Sequence, residues 1–302
     1  MSQNKTVYIK EIRQETVDCK TFVLSADEPL HYQAGQFLTF IFSKWNGEER
    51  RSYSFSSAPI PGEEMAITIK RVTNGEYSRK LIDNYKVGDR LTTIGASGLF
   101  ILPHADKNIR QLFFLAAGSG ITPVFSLIKS ALFQYPQFQI VLIYSNRDRS
   151  SAIFHDEISL LEKEHRERFR VEWLYSTNYN LTRARLGKWL LAELLREYRN
   201  AKDQETLFYL CGPFDYMRMI QIVLAEENFP AENIRREFFE SLPVPKKLLP
   251  PDTATHGVDI IISGERHPLI TGYPKTILRA GLDAGLELPY SCEAGRCGTC
   301  VA

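Results

Sequence analysis

From Arg110 onward the chain alternates buried-type strands with helices, and this rhythm constrains the fold more than any other feature of the sequence. Gln111 to Ala117 is a continuous apolar run, QLFFLAA. A run with no polar alternation suits a parallel strand covered on both faces. The pattern predicts a helix over 123–133, a strand over 139–145 and a helix over 155–165. A strand over 171–176, a helix over 186–199, a strand over 206–211, a helix over 213–227 and a strand over 234–239 complete it. Strands and helices alternating at this spacing build a doubly wound parallel α/β sheet.

The residues before Arg110 follow a different rule. Segments 7–12, 21–24, 36–42, 51–56, 65–72 and 90–94 are rich in β-branched and aromatic residues. Gly35, Gly47, Pro61-Gly62, Asn74-Gly75 and Gly88 separate them. Six short strands with regular turns suggest a small antiparallel β-barrel, with a helix over 78–85 to cap it. After the α/β region comes a stretch with four prolines in ten residues, 242–251, which reads as a stiff linker. Beyond it a strand over 258–263 and a helix over 276–284 lead into a cysteine loop. The expected organisation is multidomain: 1–106 barrel, 107–241 α/β domain, 242–255 linker and 256–302 C-terminal domain.

The chain has 302 residues, enough for two or three cores. Its 37 basic and 36 acidic residues give a net charge of +1, which argues against nucleic acid as a partner. The apolar stretch 112–133 is interrupted by Gly118, Gly120, Pro123 and Lys129, so no membrane span is expected. No apolar signal segment occupies the first 14 residues, and a cytoplasmic protein is expected.

Cys292, Cys297 and Cys300 are spaced C-x4-C-x2-C, the ligand run of plant-type [2Fe–2S] centres. Such a cluster takes four thiolates, and no cysteine follows Cys300 in the chain. The fourth ligand is therefore expected to be absent and this domain truncated. Cys19 reads as structural, and disulfides are not expected beside metal-spaced thiols.

Five further segments carry chemistry. In Arg51-Ser52-Tyr53-Ser54, alternation places Arg51 and Tyr53 on one strand face and Ser52 and Ser54 on the other. Either this is an ordinary half-buried barrel strand, or Tyr53 stacks on a flavin while Arg51 holds phosphate. In Lys70 to Ser78, Gly75 permits close backbone approach and Ser78 can cap a helix whose free N–H groups bind pyrophosphate. Gly118-Ser119-Gly120-Ile121-Thr122-Pro123 follows the buried strand, with Thr122 as a helix cap and Pro123 as the first helical residue. The glycine pair alone says little, and Pro123 stands where G-x-G-x-x-G has its third glycine, but the strand–turn–helix context suits a dinucleotide pyrophosphate. Ser145 ends the next strand and Arg147 lies just past it; the two suit a 2′-phosphate, or Arg147 is a solvated loop residue, and Arg183 and Arg185 are further candidates of the same kind. Cys211-Gly212-Pro213 ends another strand, where Cys211 either packs beside a nicotinamide or is a buried structural thiol.

Taken in order, Arg51-x-Tyr53-Ser54, Gly75-x-x-Ser78, Gly118-x-Gly120-x-x-Pro123, Cys211-Gly212-Pro213, Glu237-x-Phe239 and the cysteine run resemble the ferredoxin–NADP reductase superfamily. The resemblance covers essentially the whole chain. It is strongest to the oxygenase-reductase branch with a C-terminal plant-type ferredoxin domain. The reductase components of phenylacetyl-CoA epoxidases look most similar, with those of ketosteroid hydroxylases and fatty-acyl desaturases close behind. The resemblance implies an FAD-binding barrel, an NAD(P)-binding α/β domain and an incomplete β-grasp ferredoxin-like domain. It assigns Arg51, Ser52, Tyr53, Ser54, Lys70, Gly75, Tyr77, Ser78 and Phe239 to FAD, with Ser54 near the flavin N5 edge. It assigns Gly118, Ser119, Gly120, Ile121, Thr122, Pro123, Ser145, Arg147, Cys211, Gly212 and Pro213 to NADPH or NADH. Ser54, Cys211 and Glu237 would be catalytic, and Cys292, Cys297 and Cys300 would hold iron. The implied activity is an NAD(P)H-dependent flavin iron–sulfur reductase serving an oxygenase or hydroxylase. An electron-relay protein that does not oxidise nicotinamide, and a truncated flavin reductase or diaphorase, are the alternatives.

Overall fold

The computed structural model describes residues 4–45, 47–103, 108–239, 249–262, 264–288, 290 and 300. The first unit comprises β1 (Lys5–Thr16), β2 (Cys19–Ala26), β3 (Phe37–Lys44), β4 (Gly47–Ser54), β5 (Ala66–Lys70), α1 (Glu76–Asn84) and β6 (Arg90–Ser97). The strands are antiparallel, in the order β4-β3-β6-β1-β2-β5. A bridge between Phe55 and Ile67 brings the two edges together and rolls the sheet into the expected barrel. Val7, Phe22, Leu38, Phe40, Phe55 and Ile67 fill it. Helix α1 buries Tyr77, Leu81 and Ile82 against this core while its charged face stays in water.

The second unit comprises β7 (Gln111–Ala117), α2 (Ile121–Gln134), β8 (Gln139–Asn146), α3 (His155–Glu164) and β9 (Phe169–Tyr175). It continues with α4 (Lys188–Tyr198), β10 (Thr206–Cys211), α5 (Phe214–Glu226) and β11 (Ile234–Glu237). All its strand pairs are parallel, in the order β11-β10-β7-β8-β9. The uninterrupted apolar runs follow from two-sided burial. Leu112, Phe114, Ile140 and Leu142 face α2 and α3, while Phe113, Leu115, Val141 and Ile143 face α4 and α5. The chain steps from β7 to β8 and β9 in one direction, then crosses back to β10 and β11 on the other side. This reversal opens a crevice at the carboxyl ends of β7 and β10, where open α/β sheets bind ligands.

The two units share apolar core. Cys19, Ala34 and Phe100 of the barrel unit lie in the same buried cluster as Leu127 and Ile128 of α2. Tyr209 OH on β10 donates to the Ile101 carbonyl at 2.9 Å.

The third unit is a hairpin, β12 (Thr255–Ile262) with β13 (Glu265–Gly272), followed by α6 (Ile277–Asp283). Thr276 caps α6, its Oγ1 accepting from the Arg279 N–H at 3.1 Å. Strand β13 is an addition to the elements expected from the sequence, and Pro268 lies within it. A proline is tolerated where its missing N–H faces the open side of a strand, and β13 pairs only with β12 among the described residues.

Candidate functional site

A cavity of about 920 Å³ occupies the crevice at the sheet switch point. Gly118, Ser119 and Gly120 from the turn after β7, Ser145 at the end of β8 with Arg147 just past it, and Gly212 and Pro213 after β10 line it. The barrel contributes Asp18 and Lys70, and Phe239 stands at its border. Its size falls at the upper end of the range for small-molecule sites, roughly 300–1,000 Å³. Residues far apart in the chain converge there because Gly118 to Gly120, Ser145, Arg147, Gly212 and Pro213 all sit at or just past the carboxyl end of a parallel strand.

Close packing shapes the glycine turn. A Cβ on Gly120 would lie 2.0 Å from the Cys211 carbonyl oxygen, so only glycine lets α2 begin against the end of β10. Gly118 takes a φ of +54° with open space where its Cβ would point. The Tyr144 hydroxyl donates to its carbonyl at 3.1 Å. Helix α2 starts two residues earlier than expected, with Gly120 as its cap residue and no side-chain cap. Thr122 instead sits inside the first turn and donates from Oγ1 to the Ser119 carbonyl at 2.9 Å. Ile121, Thr122 and Pro123 are buried beneath the turn. The uncapped backbone and the aligned peptide dipoles of α2 therefore face the cavity, an arrangement that favours anionic groups.

Arg147 is 82% exposed, with only a loose 3.8 Å approach to Asp148. Asp148 also lines the cavity. Hydrogen bonds from Ser150 and Ser151 hold its carboxyl below the usual range. No acid stands at the strand end itself, and Asp148, two residues beyond β8, is a cavity residue that the sequence pattern does not single out. Arg185 reaches the cavity, whereas Arg183 is bound to Glu172 at 2.6 Å. Cys211 is 1% exposed, and burial pushes its thiol well above the ordinary value. Its side chain belongs to the apolar core, and Glu237 is paired in register with it on β11.

Strand β4 of the barrel carries the flavin candidates. Arg51 forms an ion pair with Glu49 and lies 4.8 Å over the Tyr77 ring. Tyr77 OH donates to Glu49 Oε2 at 2.6 Å, and Lys44 approaches the same carboxylate. These bonds, first from Lys44, then from Tyr77 and Arg51, hold the Glu49 carboxyl down at about 2. Tyr53 is half-buried beside Phe40, and desolvation raises its phenol. Ser54 is 5% exposed, and Ser52 Oγ lies 2.8 Å from Thr39 Oγ1. Helix α1 starts at Glu76 with Gly75 as cap residue, so Ser78 does not cap it. The Ser78 hydroxyl accepts from the Val72 N–H and donates to the Gly75 carbonyl, both at 3.2 Å, and so staples the turn. Lys70 lies 3.6 Å from Asp18, a pairing with no signature in the sequence.

The donor sets fit two dinucleotides. On one side are a guanidinium, a phenol and a nearly buried hydroxyl on a single strand. On the other is an open glycine turn at a helix start above a cavity of dinucleotide scale. Cys300 is half-buried, while Cys292 and Cys297 lie outside the described residues.

The fold and site define a pyridine-nucleotide-dependent flavoprotein reductase with an appended iron–sulfur domain. Residues 6–101 match the oxidoreductase FAD-binding domain, 114–222 the oxidoreductase NAD-binding domain and 264–302 the 2Fe-2S iron-sulfur cluster binding domain. Over 99% of its length the chain is 31% identical to the ferredoxin reductase component of 3-ketosteroid-9-alpha-monooxygenase from Rhodococcus rhodochrous, covering 86% of that protein. It is 28% identical to a component chain of 1,2-phenylacetyl-CoA epoxidase from Escherichia coli K12, again over 99% of the chain and 86% of the relative. Phthalate dioxygenase reductase, described as a modular structure for electron transfer from pyridine nucleotides to [2Fe-2S], superposes with a TM-score of 0.66. The superposition spans 98% of this chain and 85% of that one, at 24% identity. The chain belongs to the family of FAD- and NAD-binding reductases with a C-terminal [2Fe–2S] domain, the ferredoxin reductase components of oxygenase systems.

Proposed function

We propose that the chain takes reducing equivalents from NADPH or NADH in the switch-point cavity and delivers them, one at a time, to an oxygenase or hydroxylase component. The observation that carries this reading is the cavity itself, which joins the nucleotide turn of the α/β sheet to Lys70 and Asp18 of the barrel. The relatives named as monooxygenase and epoxidase components support an oxygenase as the acceptor. FAD held by the barrel would supply the conversion of a hydride into single electrons, and Cys292, Cys297 and Cys300 would supply three of the four thiolates that a one-electron [2Fe–2S] acceptor needs.

The protein's own part is binding, orientation and exclusion of water. The turn Gly118 to Pro123 presents backbone N–H groups to the nicotinamide dinucleotide's pyrophosphate. Ser145 and Arg147 hold its adenosine end, and Cys211, Gly212 and Pro213 bound the nicotinamide pocket. Arg51, Lys70 and the Gly75–Ser78 turn serve the FAD phosphates, while Ser52, Tyr53 and Tyr77 shape the flavin's seat. Phe239 would stand against the flavin ring, Ser54 would donate a hydrogen bond at its N5 edge, and Glu237 would border the nicotinamide. With its thiol held protonated by burial, Cys211 acts here by shape and polarity and not as a nucleophile. Among the described residues no helix is long and apolar enough to cross a membrane. We place the protein in the cytoplasm on its unpaired buried cysteines; recovery in a membrane or secreted fraction would overturn that placement.

The test is anaerobic titration of the purified chain with NADPH and then NADH, followed by flavin and iron–sulfur absorbance. Flavin bleaching with one further electron taken up per flavin is expected. Bleaching without the extra electron would reduce the reading to a flavin reductase. No bleaching with either nucleotide would replace it with an electron-relay protein.

A further inference from the structure

Arg50 precedes the flavin-strand arginine and points the other way. Successive side chains of a strand project to opposite faces, so Arg51 turns toward Tyr77 while Arg50 turns toward the C-terminal unit. Arg50 Nη1 donates to the Tyr290 backbone carbonyl at 2.9 Å, across 240 residues of sequence. Its guanidinium carbon lies 3.7 Å from the centroid of the Tyr290 ring, a close cation–π stack. Arg50 Nε is buried and makes no hydrogen bond among the described residues, and none of the ion pairs among those residues involves Arg50. Tyr290 stands two positions before Cys292, the first cysteine of the cluster run.

We propose that Arg50 is the positioning residue that docks the iron–sulfur unit onto the flavin-binding strand, through its stack and hydrogen bond on Tyr290. The proposal rests on the flavin and iron–sulfur assignment above. Adjacent residues of one strand then serve the two redox groups, Arg51 the flavin and Arg50 the segment leading into the cluster. Their spacing is set by the stiffest local geometry available, a strand paired along its length with β3, and not by the proline-rich linker. A planar, always charged guanidinium can stack on a ring and bond a carbonyl together; a lysine ammonium keeps the charge but loses the stack.

The test compares the full chain with Arg50→Ala, Arg50→Lys, Tyr290→Leu and Tyr290→Phe. The readouts are small-angle X-ray scattering and amide hydrogen exchange over β4, with flavin content and the rate of flavin bleaching by NAD(P)H measured alongside. In Arg50→Ala and Tyr290→Leu the scattering should broaden toward longer distances and exchange should speed roughly tenfold, the loss expected for one modest contact. The double variant should add little to either single one. Arg50→Lys should fall between, and Tyr290→Phe, which keeps both ring and carbonyl, should match the parent. Flavin content and bleaching should stay at parent values. Unchanged scattering and exchange in Arg50→Ala would overturn the proposal. So would loss of flavin or slowed bleaching in that variant, which would put Arg50 in the flavin seat. If the parent itself is not bleached, the reductase reading fails, while scattering and exchange still report on the Arg50–Tyr290 contact.

Discussion

Gly120→Ala is the most demanding test of the nucleotide turn. The added methyl would sit 2.0 Å from the Cys211 carbonyl oxygen, 2.5 Å from its carbonyl carbon and 2.9 Å from the Gly212 nitrogen. All three are backbone atoms in the parallel sheet and its exit turn, so no flexible side chain can swing away. The start of α2 must lift off β10. Overpacking of this kind costs about 1–3 kcal/mol, and an obstacle made of backbone places the change at the upper end. At roughly 2–4 °C per kcal/mol for a domain of about 150–250 residues, melting should fall by about 6–12 °C. Gly118→Ala is the internal control, because nothing lies within 4 Å of its Cβ position and only the positive φ of +54° is penalised. That penalty is about 1–2 kcal/mol, or roughly 2–8 °C on the same scale. Thermal unfolding with FAD bound measures both. Stopped-flow bleaching should show Gly120→Ala losing nucleotide affinity while FAD stays bound. A Gly120→Ala protein that melts and binds nucleotide like the parent would refute the packing argument and the site assignment with it.

Ser54→Ala should slow flavin reduction about fivefold to tenfold, the worth of one neutral hydrogen bond, while retaining FAD; an unchanged rate would remove Ser54 from the chemistry. Cys19 and Cys211 should resist iodoacetamide in the native protein at mildly alkaline pH and react after unfolding, because burial raises both thiols; mass mapping of modified cysteines decides this. Glu49 titrates at about 2 in the folded chain against an ordinary 4.5. A depressed carboxyl stabilises above its ordinary value and loses that contribution as pH falls through the folded one. Glu49→Gln should therefore lower stability at neutral pH, with the gap to the parent closing as pH approaches 2. A gap that widens in acid would contradict the assigned network.

Much of this architecture can be read from the residues because burial leaves a simple signature. The strand over 206–211 is found at the expected bounds, and β7 to β11 all occur in the expected order. Ends are harder to place, since a hydroxyl near a helix start suggests a cap whether or not it makes one. Ser78 and Thr122 both bond backward into their turns. Pro268 conceals β13, because a proline argues against a strand unless the pairing side is known. The turn motifs Gly118–Gly120 and Gly212–Pro213, with Ser145, Arg147, Lys70 and Phe239, converge on one cavity. Asp18, Asp148, Glu49 and Arg50 carry no local pattern. Their roles come from partners brought close by tertiary folding, in the case of Arg50 one that is 240 residues away.

The apolar cluster that Cys19, Ala34 and Phe100 share with α2 bears on how the molecule comes apart. A core contributed by both units cannot be half lost, since withdrawing the barrel would expose the inner face of α2 to water. Barrel and sheet should therefore melt as one cooperative block, in a single calorimetric transition, and neither excised alone should keep its fold. The hairpin unit around β12 and β13 lies outside that shared core and can unfold earlier. Heating should thus cost the protein its electron exit before its flavin and nucleotide chemistry, leaving a form that still consumes NAD(P)H but delivers nothing to its partner.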